Sequence, residues 1–97
     1  MTTFISLIRY NQQGVENMKE SPVRLDRARK ALEAAGGELK GFYLTMGRYD
    51  AVVIGDVPND QEYMKAIMTL AAGGTVRTET LRAFTEAEAR EIISGLT

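Results

Sequence analysis

The sequence predicts a single α+β domain in which two strand–helix–strand units share one antiparallel sheet. Two observations predict this fold class. Four segments rich in β-branched and aromatic residues are separated by longer segments whose apolar residues recur with helical periodicity. A pair of glycines ends each of the two long helical segments, as is typical of helix C-termini. A chain of 97 residues has room for one domain, which we assign to residues 1–97.

The predicted elements follow the order β-α-β-β-α-β, and a short helix comes last. Each long helix begins at a capping signal, and polar or glycine-containing breaks bound the strands. The capping signals are Ser21 as N-cap with Pro22 after it, Asn59 with Glu62, and Thr85 with Glu88. In chain order, we predict strand 2–10, one helical turn within 15–20, a helix from residue 21 to the glycines at 36–37, strands 38–45 and 50–57, a helix from residue 59 to the glycines at 73–74, strand 75–84 and a final helix after residue 85.

This order of elements also predicts the topology of the sheet. Two interleaved β-α-β units with right-handed crossovers place both long helices on one face. The resulting strand order is 4-1-3-2, and all neighbouring strands are antiparallel. The face without helices should then carry polar residues wherever it meets water.

Apolar side chains instead alternate onto both faces of the first three strands. A sheet with this pattern needs a cover on its second face. We expect that cover to be a second copy of the chain, packed sheet on sheet in a homodimer. The alternative is that the C-terminal helix folds across this face. The opposed positions are Phe4 and Ile8 against Ile5 and Leu7, Leu39 and Tyr43 against Phe42 and Leu44, and Val53 and Val57 against Val52 and Ile54.

The composition excludes several classes of catalytic and metal site. The chain contains no histidine and no cysteine. Disulfides, Cys–His catalysis and Ser–His–Asp catalysis are therefore ruled out, and zinc would lack its usual ligands. We expect neither a metal nor a cofactor. The five methionines are expected to fill the core rather than form a binding surface.

Charge and hydropathy indicate whether the protein binds nucleic acid or membrane. The net charge is −1 and both signs are mixed along the chain, so no basic stripe is available for a nucleic-acid backbone. No apolar run approaches the length of a membrane span, and we recognise no signal peptide. These observations predict a cytoplasmic protein that binds neither nucleic acid nor membrane.

The topology gathers polar residues at one end of the sheet. The end of the first strand, the hairpin between the second and third strands, the start of the fourth strand and the N-terminus of the first long helix meet there. Three arginines near a helix N-terminus suit an anion or a carboxylate ligand. The alternative is that Arg48, Asp50, Arg77 and Glu79 only neutralise one another, across strands or across a dimer interface. The candidate ligand-binding residues are Arg9, Tyr10, Arg48, Tyr49, Asp50 and Arg77.

Four segments of the chain carry a resemblance to a known family. They are Ser21-Pro22, Tyr43-Leu44-Thr45, Gly47-Arg48-Tyr49-Asp50 and residues 76–84. In these segments the chain resembles the GYD domain family, a bacterial family of about this length. The resemblance implies a ferredoxin-like fold of the dimeric α+β barrel type. The family has no established activity, and the wider group includes cofactor-independent monooxygenases, isomerases and haem-degrading enzymes.

The sequence supports two hypotheses for the function. One is a homo-oligomeric module that binds a small anionic ligand. The alternative is a small cofactor-independent enzyme of the monooxygenase or isomerase kind. In such an enzyme Tyr49 or Asp50 would be the acid or base, and Arg48 or Arg77 would stabilise negative charge. An RNA-recognition module of the same strand order is disfavoured because residues 50–57 hold no aromatic side chain on which a base could stack.

Overall fold

The predicted strands and helices are present in a computed structural model that describes residues 1–97. The structure is α+β, with four strands and four α-helices. The strands are β1 (Thr2–Tyr10), β2 (Glu38–Leu44), β3 (Ala51–Val57) and β4 (Val76–Ala83). The helices are α1 (Gln12–Glu16), α2 (Ser21–Ala34), α3 (Asp60–Ala71) and α4 (Glu86–Ser94), and a 3-10 turn (Met18–Glu20) joins α1 to α2.

The four strands form one antiparallel sheet in the order β2-β3-β1-β4. This is the predicted order read from the opposite edge, so the topology is confirmed. The long helices α2 and α3 pack on each other and on one face of the sheet. None of the helices is long and apolar enough to cross a membrane.

The core lies between the sheet and these two helices. Along β3, every second residue from Ala51 to Val57 is buried, which is the alternation of a strand with one covered face. At the centre of the core, the ring of Phe4 stacks on that of Tyr63, with 4.4 Å between ring centroids. The core residues are Phe4, Ile8, Leu32, Ala51, Val53, Val57, Tyr63 and Ala66.

One polar group is fully enclosed in this core. Ser6 is only 1% exposed, and its hydroxyl lies 2.6 Å from the Tyr63 hydroxyl and 3.0 Å from that of Thr80. Burial raises the pKa of Tyr63, since it disfavours the charged phenolate. The three hydroxyls satisfy one another, so the sheet and α3 are joined by hydrogen bonds as well as by apolar packing.

The start of α2 differs from the prediction. Ser21 is not its N-cap but its first residue, with helical φ and ψ of −53° and −41°. The 3-10 turn runs directly into α2, so no extended residue separates them and the Ser21 hydroxyl does not cap a backbone N–H. The helical turn that precedes it also begins earlier than predicted. Asn11 caps α1 by accepting a hydrogen bond from the Gly14 backbone N–H at 2.9 Å.

The prediction for the methionines is wrong, because all five are exposed. The side of α3 that faces the core consists of Tyr63, Ala66, Ile67 and Leu70. These positions follow the i, i+3, i+4, i+7 spacing of a single narrow stripe, so the other apolar residues of α3 do not reach the core. Within α3, the methionines lie beside the stripe. The exposed methionines are Met1, Met18, Met46, Met64 and Met68.

A bulge in β2 changes which side chains share a face. The register between β2 and β3 shifts between Leu39 and Gly41. Leu39 and Phe42 therefore both pack against the helix-side core, although strict alternation had placed them on opposite faces. Tyr43 stays on the opposite side and is well exposed.

The other face of the sheet carries no helix. In the register of the strands, Ile5 lies between Ile54 and Leu81, and Leu7 lies opposite Val52. We call this group of five apolar residues the helix-free face. The alternative that α4 covers it is wrong, because α4 has almost no contact with any other element. Its capping box of Thr85 and Glu88 is present as predicted, but the helix does not pack on the sheet.

Candidate functional site

The hairpin between β2 and β3 presents two of the predicted site residues. Thr45 closes the loop by donating from its backbone N–H to the Asp50 carbonyl at 2.9 Å and from its hydroxyl to the Tyr49 carbonyl at 2.6 Å. Gly47 has a φ of 110°, a conformation that favours glycine. The backbone N–H of Asp50 donates to the Ile8 carbonyl, which ties the loop to the central strand. Arg48 and Tyr49 are thereby held at the end of β1.

Three arginines surround an open depression of about 260 Å³ at this end of the helix-free face. Arg9 of β1 lies opposite Arg77 of β4 in the strand register, and Arg48 reaches the same depression from the hairpin. Tyr49 and Glu79 also line it. We call these five residues the arginine depression. Strand pairing and the short hairpin loop are what bring together residues that lie up to 70 positions apart in the sequence.

The arginines in this depression are not neutralised by carboxylates. Arg9 donates from Nε to the Arg48 carbonyl oxygen at 2.9 Å, and its guanidinium lies 5.2 Å from the centre of the Tyr49 ring. No ion pair involves any of the three arginines. The alternative, in which the charged groups neutralise one another, is therefore not found within a single chain.

Tyr49 donates its hydroxyl hydrogen bond to Glu79. This bond is the main reason that the pKa of Tyr49 is raised, and desolvation and the Glu79 charge act in the same direction, against the opposing charges of Arg48 and Arg9. Tyr49 therefore keeps its proton at neutral pH. The partner of Glu79 is therefore the Tyr49 hydroxyl rather than an arginine.

Two predicted site residues do not enter the depression. Asp50 accepts a hydrogen bond on Oδ2 from the backbone N–H of Tyr10 at 2.9 Å, so its carboxylate fastens the hairpin to β1. The ring of Tyr10 lies on the helix side of the sheet, with the guanidinium carbon of Arg24 5.5 Å from its centre. Ser21, the predicted helix start at this end, also lines a cavity on the helix side. The structure thus brings together Arg9, Arg48, Tyr49 and Arg77.

Glu79 lines the depression but is not among the ligand-binding residues predicted from the sequence, although strand alternation indicates its position. Side chains alternate along a strand, so Arg77 and Glu79 of β4 must share a face. The strand register then places Glu79 opposite Leu7, at the floor of the depression. That Glu79 accepts a hydrogen bond from Tyr49 could not be predicted from the strand pattern, because this contact depends on where the hairpin lies in space.

This arrangement is suited to binding an anion. Guanidinium groups form charge-assisted, often bidentate hydrogen bonds with carboxylates and phosphates, and here none of the three has a carboxylate partner within the chain. The site is open rather than enclosed, so water is not excluded from it. No group of acidic side chains in the structure is placed to hold a metal ion.

Comparison with known proteins gives consistent results. The chain is 30% identical over 89 residues to the "Glutamine synthetase and cystathionine beta-lyase binding protein" of Thermus thermophilus, a match that covers 91% of this chain and 94% of that protein. The fold is similar to the crystal structure of TTHA0845, also from Thermus thermophilus, with a TM-score of 0.54 and 24% identity over 87% of this chain and 94% of the other. Residues 4–93 match the GYD domain, and the chain therefore belongs to the GYD domain family.

Proposed function

We propose that this protein is a non-catalytic, self-associating binding protein. Two copies pair through the helix-free face, and the arginine depression at the end of that face receives an acidic group of a ligand or partner. The observation that carries this proposal is the uncovered apolar face with three unneutralised arginines at its end. An apolar surface rimmed by polar groups is typical of an interaction site.

The surface area of one chain supports self-association. The chain exposes 6653 Å². A compact monomer of 10.7 kDa is expected to expose about 5,500 Å². The difference of roughly 1,100 Å² exceeds the area of about 800 Å² that each partner contributes to a standard interface. Part of the excess belongs to the extended α4, and the helix-free face supplies the apolar part that a second copy would cover.

Light scattering on the purified protein tests the pairing. We expect the mass of a dimer or a larger oligomer rather than the 10.7 kDa of one chain. Ile54→Glu places a charge within the helix-free face and should yield monomers, because burying an unpaired carboxylate is strongly unfavourable. Val23→Glu is the matched control, since Val23 lies exposed on α2, and it should leave the mass unchanged. If the wild-type protein is monomeric, the proposed dimerisation is wrong.

The related Thermus protein, from its name, binds glutamine synthetase and cystathionine beta-lyase. We propose that this chain likewise binds another protein, with glutamine synthetase of its own organism as the first candidate. The exposed arginines would then receive acidic side chains of that enzyme. Electrostatic contacts of this kind steer association and set specificity.

Calorimetry with purified glutamine synthetase and cystathionine β-lyase tests whether this chain binds another protein. We expect binding to at least one enzyme, and a loss of about tenfold or more in affinity when Arg48 and Arg77 are both replaced by glutamine. Arg90→Gln is the control, because Arg90 lies on α4 and pairs with Glu86. If neither enzyme binds, the proposed partner is wrong, and a dimer seen by light scattering would still stand.

The geometry favours binding over acid–base catalysis. The hypothesis of a small enzyme assigned the acid or base to Tyr49 or Asp50. The hydroxyl of Tyr49 is held by Glu79, and its raised pKa keeps it protonated. The carboxylate of Asp50 is held by the backbone of Tyr10. The Tyr49 proton is thus already shared with Glu79, and Asp50 does not line the depression, so neither residue presents a free acid or base to a ligand there.

A further inference from the structure

A second cavity lies on the helix side of the molecule, across the sheet from the arginine depression. Its volume is about 360 Å³, which is within the range of small-molecule sites. Its walls come from α1, the 3-10 turn, one side of α2, the C-terminal end of α3 and the segment between α3 and β4. We call it the helix-side cavity. The charged and amide side chains that line it are Gln13, Asn17, Glu20, Arg24 and Arg27.

Arg24 is fixed in this wall by neutral groups. It donates to the Ser21 hydroxyl at 2.9 Å and to the carbonyl oxygens of Asn17 and Gly14 at 3.3 and 3.4 Å. Its guanidinium also lies against the ring of Tyr10, and its Nε is buried without a hydrogen-bond partner. No carboxylate forms an ion pair with it. The cation is held in place while its charge is left uncompensated, which favours an anionic group nearby.

Two further charges line the same cavity. Arg27 follows Arg24 by three residues on the same side of α2, and it makes no hydrogen bond or ion pair within the chain. Glu20 precedes Arg24 by four residues, a spacing that often produces a helical ion pair. No such pair forms here. Two cations and one anion therefore surround the cavity without neutralising one another.

We propose that the helix-side cavity binds a free α-amino acid. Its carboxylate would lie on Arg24 and Arg27, and its ammonium group on Glu20. A simple anion would leave Glu20 without a partner, and a simple cation would leave both arginines without one, whereas a zwitterion satisfies all three charges. The amide of Gln13 remains to contact the side chain of the ligand, whereas the Asn17 amide nitrogen already donates to the Gln13 carbonyl oxygen. This inference does not depend on the proposed function, because the cavity and the helix-free face lie on opposite sides of the sheet.

NMR titration of the wild-type protein with each of the standard L-amino acids tests the proposal. We expect at least one of them to shift the signals of Arg24, Arg27 and Glu20 in a saturable way. For that amino acid, the analogues that lack the amino group or the carboxylate should each bind about tenfold more weakly or worse. The proposal is overturned if no amino acid binds, or if inorganic phosphate or the amine-free analogue binds as well as the amino acid does.

Substitutions then locate the site. Arg27→Gln and Glu20→Gln should each weaken binding about tenfold or more, and Arg27→Lys should recover part of the loss. Arg29→Gln is the matched control, since Arg29 lies on the same helix outside the cavity and faces Asp26. Arg24 is left intact because its removal would also break the contacts that hold α1. Thermal unfolding checks that each variant is folded, and wild-type affinity in folded Arg27→Gln overturns the assignment.

Discussion

The hydrogen bond from Tyr49 to Glu79 governs the titration of Tyr49 in the arginine depression. Because Glu79 accepts this bond from the neutral phenol, it raises the pKa of Tyr49. We predict that Glu79→Gln lowers the pKa of Tyr49, since a neutral amide accepts a weaker hydrogen bond from the phenol than a carboxylate does and carries no charge against the phenolate. Alkaline titration followed by NMR of the Tyr49 ring measures the change.

The direction of the pKa shift also fixes the pH range of this contact. The folded-state pKa of Tyr49 is raised, so the contribution of the bond to stability is fully present below the ordinary tyrosine value of 10.0 and is lost as the pH rises through the raised value. Glu91→Gln on α4 is the control and should leave the titration of Tyr49 unchanged. An unchanged titration in Glu79→Gln would contradict the assigned cause.

The buried hydroxyls of Ser6 and Tyr63 make a second residue-scale prediction. Tyr63→Phe keeps the stack on Phe4 but leaves the Ser6 hydroxyl with Thr80 alone, so we expect a loss of about 1–2 kcal/mol in the free energy of unfolding. Urea denaturation measures this loss. Tyr43→Phe, at an exposed position, should change the stability little. Equal stability of Tyr63→Phe and the wild type would show that the hydrogen bond contributes nothing net.

Strand alternation explains why only part of the site could be predicted from sequence. Topology places Arg9 and Tyr10 at the same end of the sheet, but neighbouring residues of a strand point to opposite faces. Arg9 therefore reaches the depression while Tyr10 contacts Arg24 behind the sheet. The role of Asp50 depended on a backbone N–H of another strand, and no pattern of residue types reveals such a partner.

The short helix α1 shows how a single glycine positions an element. A Cβ atom at Gly14 would lie 2.2 Å from the carbonyl oxygen of Thr75, so only glycine allows α1 to approach the start of β4 this closely. We predict that Gly14→Ala destabilises the protein by about 1–3 kcal/mol, because overpacking against backbone outweighs the gain in helix propensity. Chemical denaturation of the variant measures this.

Gly95→Ala provides the comparison for that substitution. A Cβ atom there meets its nearest neighbour at 3.4 Å, which is ordinary contact, and φ is −82°. We expect little change in stability. If Gly14→Ala were equally neutral, α1 would be able to move away from β4 at no cost, and the close packing described here would be wrong.

Elements were predicted well where a local signal decides their form, and less well where packing decides it. The bounds of β1 and the capping box of α4 follow from residue types alone. The bulge in β2 has no marker in the sequence apart from Gly41, so strict alternation failed at Leu39. The buried stripe of α3 is narrow because only one side of this helix meets the sheet, and a wide apolar pattern could not reveal that limit.

As a whole molecule, one chain forms an incomplete compact unit. Only 12 of 97 residues are buried, and the radius of gyration of 14.4 Å exceeds the roughly 12.5 Å expected for a compact chain of this length. The smallest dimension of the chain is 16 Å. This thickness fits one sheet with helices on one side and no layer on the helix-free face. A domain buries its apolar sheet face against another layer, so the shape of one chain favours assembly.

Assembly through this face should couple stability to protein concentration. In a dimer whose folding and association are linked, the denaturant midpoint rises with the protein concentration, because mass action favours the associated state. We therefore predict a rising midpoint for the wild type and a lower, concentration-independent midpoint for Ile54→Glu. Val23→Glu should retain the concentration dependence of the wild type. A wild-type midpoint that stays constant across dilution, with reversible unfolding, would mean that the apolar face is stable in water on its own and that each chain folds without its copy.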